Sequence, residues 1–174
     1  MTLITRWSAA FAAISAVLLH AATGAFAAEP FRIGVVYPKT GVFSQYGDFV
    51  EQGLGVGVKQ VNAMGGINGR KVNFITYDDG YSPPKTVEMV RKLVEEDKVL
   101  FIFNTLGTPS NTAIHKYMNA KKVPQLFVAT GASKWGQPKE FPWTMGWQPD
   151  YQTEGAIYAK HILSTVKDAK IGVL

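Results

Sequence analysis

The chain has 174 residues, no cysteine and a formal net charge of +5. That length can bury the core of one domain. The lack of cysteine excludes a disulfide framework, a thiolate metal site and a cysteine nucleophile. The basic residues (Lys39, Lys59, Arg70, Lys71, Lys85, Arg91, Lys92 and others) are scattered, and no stripe of them points to a nucleic-acid partner.

Residues 1–27 read as a cleavable signal peptide. Arg6 supplies a positive n-region, residues 9–22 an alanine-rich apolar h-region, and Ala25-Phe26-Ala27 small residues at the two positions the peptidase reads. The apolar run is short and is followed by Thr23-Gly24, which argues against a transmembrane anchor. No cysteine follows the cleavage point, which argues against a lipoprotein. The mature chain, from Ala28, is expected to be free in a periplasm-like compartment.

Residues 31–80 organise the rest of the chain. Phe31–Tyr37 is a short apolar, β-branched run ending at Pro38, as in a buried strand. A loop with Gly41, Gly47 and the aromatics Phe43 and Tyr46 comes next. Asp48 is placed to cap a helix, since its carboxylate can accept from first-turn N–H groups. That helix is predicted to run to about Met64 and to stop at Gly65-Gly66. Its internal Gly53, Gly55 and Gly57 cost propensity. Gly53 and Gly57 share a face, which predicts close approach to a sheet. Asn68-Gly69 reads as a type I′ turn, and residues 72–77 as the second strand. Strand, helix and strand of these lengths make a βαβ unit, with parallel pairing and a right-handed crossover.

Asp78 and Asp79 open a turn-rich loop and are assigned to turn and cap chemistry. Residues 85–96 are a predicted helix with Val87, Val90, Leu93 and Val94 on one face. Residues 99–103 are an all-apolar strand, expected to be buried on both sides. Thr108 followed by Pro109 reads as a hydroxyl N-cap with proline at N1, opening a helix to about Asn119. Its N-terminus lies just past the carboxyl end of a central strand, the edge where open parallel sheets bind ligands.

Residues 124–129 form the fourth predicted strand, ending in Thr130-Gly131-Ala132-Ser133 at the same edge. The spacing G-x-S-x-G is absent there, so Ser133 is not in a nucleophile elbow. Residues 134–151 are too aromatic for a plain loop. Trp143 is assigned to packing, while Trp147 and Tyr151 either pack or line a pocket. Residues 153–166 read as a helix, and residues 170–174 as the start of another strand. His115 and His161 have no second metal ligand four residues away. The residues together describe a parallel α/β lobe whose strand-end loops carry small, hydroxyl and aromatic side chains: a site for a small, polar-headed ligand.

The spaced residues Gly34-Val35-Val36-Tyr37-Pro38-Lys39-Thr40-Gly41, Gln45-Tyr46-Gly47-Asp48, Gly65-Gly66-Ile67-Asn68-Gly69-Arg70 and Tyr77-Asp78-Asp79 carry a further signal. This run resembles the opening of the periplasmic solute-binding proteins of the branched-chain amino acid (leucine/isoleucine/valine-binding) family, the type I binding proteins of ABC importers. The resemblance continues to about Gly155. It implies a Rossmann-like parallel-sheet lobe of a two-lobed protein, with residues 28–150 as an incomplete first lobe and residues 151–174 as the start of the second. It implies that a ligand carboxylate is held by Leu106, Gly107 and Thr108 after the third strand and by Thr130, Gly131, Ala132 and Ser133 after the fourth. Tyr46 stands for the aromatic of the family's Gln-Tyr-Gly-Asp motif, and Pro149 to Gly155 for the first passage between lobes; Trp147 and Tyr151 complete the candidate set.

Where leucine-binding members often carry a serine run, this chain has Leu106-Gly107-Thr108-Pro109. That departure, with Trp143 and Trp147, leans toward other carboxylates, including aromatic ones. The implied function is capture of an amino acid or related carboxylate and delivery to a membrane permease, with no catalysis, no cofactor and no metal. A periplasmic sensor of the same fold is the alternative reading. A secreted α/β hydrolase is the remote one, since it needs a nucleophile elbow and a general base.

Overall fold

The structure, a computed structural model, describes residues 28–172. The predicted signal peptide and the last two residues of the predicted final strand lie outside these. The elements in chain order are β1 (Phe31–Tyr37), α1 (Ser44–Ala63), β2 (Val72–Asp78), α2 (Pro83–Glu95), β3 (Phe101–Phe103), α3 (Thr108–Lys121), β4 (Gln125–Val128), β5 (Thr144–Gly146) and α4 (Tyr151–Thr165). A single 3-10 turn, Ser133–Gly136, precedes β5.

All five strands are parallel, in the order β2-β1-β3-β4-β5. β1 and β2 pair along their whole length, from Phe31 opposite Val72 to Tyr37 opposite Asp78. The predicted βαβ unit is therefore present. Its turn is also as read: Asn68 and Gly69 both have positive φ, and Ile67 and Arg70 exchange backbone hydrogen bonds of 2.8 and 3.0 Å.

The core lies between the sheet and α2 and α3. Val36 and Ile102 face Val90 and Leu93 of α2 and Ile114 and Met118 of α3, all buried, with Val99 beside them. The stripe read on α2 is the one that packs, since Val87 and Val94 lie partly buried against this cluster. Burial of each such side chain stabilises the fold by roughly 1.5–3 kcal/mol.

Four expectations are corrected. Asp48 does not cap α1, which already begins at Ser44 with Phe43 at the N-cap position; Asp48 lies in its second turn. Gly53 and Gly57 do not bring α1 onto the sheet, because a Cβ on either would meet nothing within 4 Å. The close approach is at Gly47 instead, where a Cβ would lie 2.1 Å from the Pro38 carbonyl oxygen. β3 is shorter than read: it begins at Phe101, after a turn in which Lys98 has positive φ, and the exposed Leu100 precedes it. No strand forms in the described part of residues 170–174.

The aromatic segment after β4 holds a strand that the periodicity did not indicate. β5 adds to the sheet edge beside β4 with an irregular register between Gln125 and Val128. Trp135 is buried and meets His115 edge-on at 5.1 Å; Phe141 stacks on the same imidazole at 3.9 Å. Trp143 is half-buried, in line with its assignment to packing.

Candidate functional site

The strand order reverses direction about β1: the chain leaves β1 for β2 on one side and returns to β3 on the other. The loops at the carboxyl ends of β1, β3 and β4 therefore flank a switch point, where open α/β sheets bind ligands.

The loop after β1 is tied down by the end of β2. Asp78 accepts from the Lys39 N–H at 2.7 Å, the Gly80 N–H at 2.9 Å and the Thr40 hydroxyl at 2.8 Å. Partial burial pushes this carboxyl up, but those three donors outweigh it and hold it below the usual carboxylate range. Asp79 is fully buried and accepts from the Tyr81 N–H and the Thr86 hydroxyl. Both aspartates thus serve the turn and the start of α2. Tyr46 sits on the first turn of α1 and donates to the Asn104 Oδ1 at 3.0 Å. Burial pushes its phenol up.

The loop after β3 continues the sheet for one residue, Leu106 bridging in parallel to Ala129. The Gly107 N–H donates to the Ala129 carbonyl, and the Ala129 N–H to the Thr105 carbonyl. Gly107, and not Thr108, occupies the N-cap of α3, with φ +90° and ψ 142°. The reason is Asn111. Its buried amide donates to the carbonyls of Thr105 and Gly107, each at 2.8 Å, and so fixes the loop from inside. The Thr108 hydroxyl is freed from capping and meets the Thr130 hydroxyl across the gap between loops.

The loop after β4 places Thr130 at the centre. Its buried hydroxyl lies between that of Thr108 and the Tyr151 hydroxyl, the latter at 3.1 Å. Gly131 accepts from the Tyr151 N–H at 2.7 Å, and a Cβ on it would lie 2.6 Å from Tyr151 Cδ1. Tyr151 opens α4, which Asp150 caps by accepting from the Thr153 N–H at 2.7 Å. That bond, foremost, holds the Asp150 carboxyl below its ordinary value. The Thr130 hydroxyl, then the Gly131 N–H and the Thr108 hydroxyl, hold the Tyr151 phenol below its ordinary value against the opposing effect of burial.

The structure thus brings Leu106, Gly107, Thr108, Thr130, Gly131 and Tyr151 together. Ala132 and Ser133 continue the β4 loop and, with Thr130, line a cavity of about 560 Å³ that reaches Trp135 and Met145. Tyr46 joins through Asn104, whose amide also donates to the Phe127 carbonyl. Trp147 is two-thirds exposed and meets Phe127 edge-on at 5.3 Å. Among the described residues no three His, Asp or Glu side chains come together as a metal site, and no helix is long and apolar enough to cross a membrane.

Two positioning residues escaped the sequence reading. Asn111 shares a helical face with the core residues Ile114 and Met118; a polar residue on an apolar stripe was the available signal. Tyr81 packs on Gly107 and against Phe43 at 4.4 Å, and no sequence pattern marked it.

Hydroxyl and backbone donors thus meet at the switch edge of a parallel α/β lobe. The chain belongs to the family described as periplasmic binding protein, whose model matches residues 30–174. It is 28% identical over 172 residues to the leucine-, isoleucine-, valine-, threonine- and alanine-binding protein of Pseudomonas aeruginosa, covering 97% of this chain and 44% of that one. Its fold resembles that of a possible leucine/isoleucine/valine-binding protein from Rhodopirellula baltica SH 1, with a TM-score of 0.75 at 20% identity over 83% of this chain and 38% of that one. It also resembles a solute binding protein of an ABC transporter from Rhodopseudomonas palustris BisB5 in complex with 3,4-dihydroxybenzoic acid, with a TM-score of 0.57 at 23% identity over 66% and 30% of the two chains. The chain spans less than half the length of each of these relatives, and its sheet is one lobe of the type I periplasmic binding fold.

Proposed function

We propose that this chain carries the carboxylate-receiving lobe of a substrate-binding component of an ABC importer, which captures an amino acid or aryl acid in the periplasm and delivers it to a membrane permease. One observation carries the reading: the hydroxyls of Thr108 and Thr130 meet beside Gly131 at the carboxyl edge of β3 and β4. A carboxylate oxygen is an acceptor for several such donors at once, and charge makes each bond stronger than between neutral groups. Ser133, at the rim of the same loop, is the further donor.

Residues 28–150 are assigned to the first lobe and residues 151–174 to the start of the second. The exposure of α4, which buries none of its residues, supports that division. The aromatic surface of Phe103, Phe127 and Trp147 beside the site, with rings about 5 Å apart, favours a planar tail. The relative holding 3,4-dihydroxybenzoic acid supports the same choice.

Calorimetric titration of L-isoleucine and of benzoate into the wild type, Thr108→Val and Ser133→Ala tests the assignment. Each variant is expected to weaken binding by about 0.5–3 kcal/mol, the cost of a lost hydrogen bond to a charged acceptor. Unchanged affinity in both variants overturns the site.

A further inference from the structure

Tyr151 stands where the ligand should. Its hydroxyl is 3.1 Å from the Thr130 Oγ1, which is itself hydrogen-bonded to the Thr108 hydroxyl. Its ring lies against Gly131, where any Cβ would come within 2.6 to 2.7 Å of two ring carbons. Its own N–H donates to the Gly131 carbonyl. The contact is therefore specific in both side chain and backbone.

The same residue is loosely held on its other side. It is 51% exposed, so about half of its surface lies free of the β4 loop. Only the covered half of that surface is given up if the ring swings away, so hydrophobic burial opposes its leaving only in part.

On the reading of this edge as a carboxylate site, we infer that Tyr151 is its internal occupant: the phenol holds the Thr108–Thr130 donor pair until a ligand oxygen displaces it. Displacement releases the side-chain tie between the β4 loop and the residue that follows the crossover Pro149-Asp150, so ligand arrival is coupled to that crossover. The exchange runs toward ligand because a carboxylate brings full charge to donors that a neutral phenol engages weakly. The lowered pKa of the phenol agrees, since these donors favour a negative oxygen.

The test is titration of the full chain, as wild type, Tyr151→Phe and Thr108→Val, with L-isoleucine and with benzoate. Tyr151→Phe keeps the ring on Gly131 and removes only the competing hydroxyl. It is expected to bind the better probe about two- to tenfold more tightly, the worth of one net hydrogen bond. Thr108→Val is expected to bind more weakly than wild type. Equal or weaker binding by Tyr151→Phe overturns the inference and makes Tyr151 a bystander or a direct contact; the carboxylate reading then stands if wild type binds and Thr108→Val is weakened. No binding of either probe by any of the three chains overturns the carboxylate reading and the inference together.

Discussion

Replacing Gly107 with alanine strikes the point where the β3 loop, α3 and the β2 loop meet. A Cβ there would lie 2.4 Å from Tyr81 Cε2 and 2.5 Å from the Tyr81 hydroxyl oxygen. The backbone, at φ +90° and ψ 142°, lies in a region that is essentially glycine's own and costs other residues about 1–3 kcal/mol. Tyr81 would also have to leave its 4.4 Å contact with Phe43, a pair worth about 0.5–1.5 kcal/mol. Together these predict a loss of about 2–4 kcal/mol in folding stability. Urea unfolding reads it as a lower midpoint at unchanged slope. A loss under about 0.5 kcal/mol, the size of an ordinary surface change, would refute the claim that this loop is held by glycine geometry.

Gly55→Ala is the counterpart on α1. Nothing lies within 4 Å of a Cβ at that position, so alanine is expected to stabilise the chain by up to about 1 kcal/mol through helix propensity alone, read in the same urea experiment. His115 supplies a pH dependence. Burial first, then the Lys134 charge, hold its imidazole below the ordinary value, with Glu140 opposing. The folded value lies below the unfolded one, so its contribution is whole above the unfolded pKa of about 6.5 and is lost as the pH falls through that value toward the folded one. His115→Phe keeps a ring against Phe141 and is expected to flatten the fall in stability between about pH 7 and pH 5, measured by urea midpoints across that range.

The fold was largely legible because its signals are local. The apolar run at Phe31–Tyr37, the glycine pair ending α1, the positive-φ turn at Asn68-Gly69 and the four-residue stripe on α2 each depend on neighbours in sequence. What escaped depends on distant partners. β5 is three residues long and is defined by its bonding to β4, as in the Gln125 N–H to the Trp143 carbonyl at 2.7 Å. The cap of α3 was misread for the same reason. Thr108 before Pro109 is a sound local start signal, but Asn111 overrides it by bonding the loop carbonyls from within the core. In the site, the loops after β3 and β4 could be named from sequence because strand ends in a parallel sheet share an edge. That Tyr151 would reach back into Thr130 could not, since the two are 21 residues apart and belong to different elements. Gly53 and Gly57 show the opposite failure: a face was legible, but nothing in the described chain approaches it.

The central claim is that the Thr108, Thr130 and Gly131 edge receives a carboxylate. Thermal unfolding of the mature chain with L-isoleucine, benzoate and their uncharged amides tests it most directly. A ligand that binds only the folded chain raises the midpoint with its concentration. The account predicts a rise with at least one of the acids, none with the matching amide, and its loss in Thr108→Val. A midpoint that stays fixed with both acids, or one that rises equally with acid and amide, would contradict it.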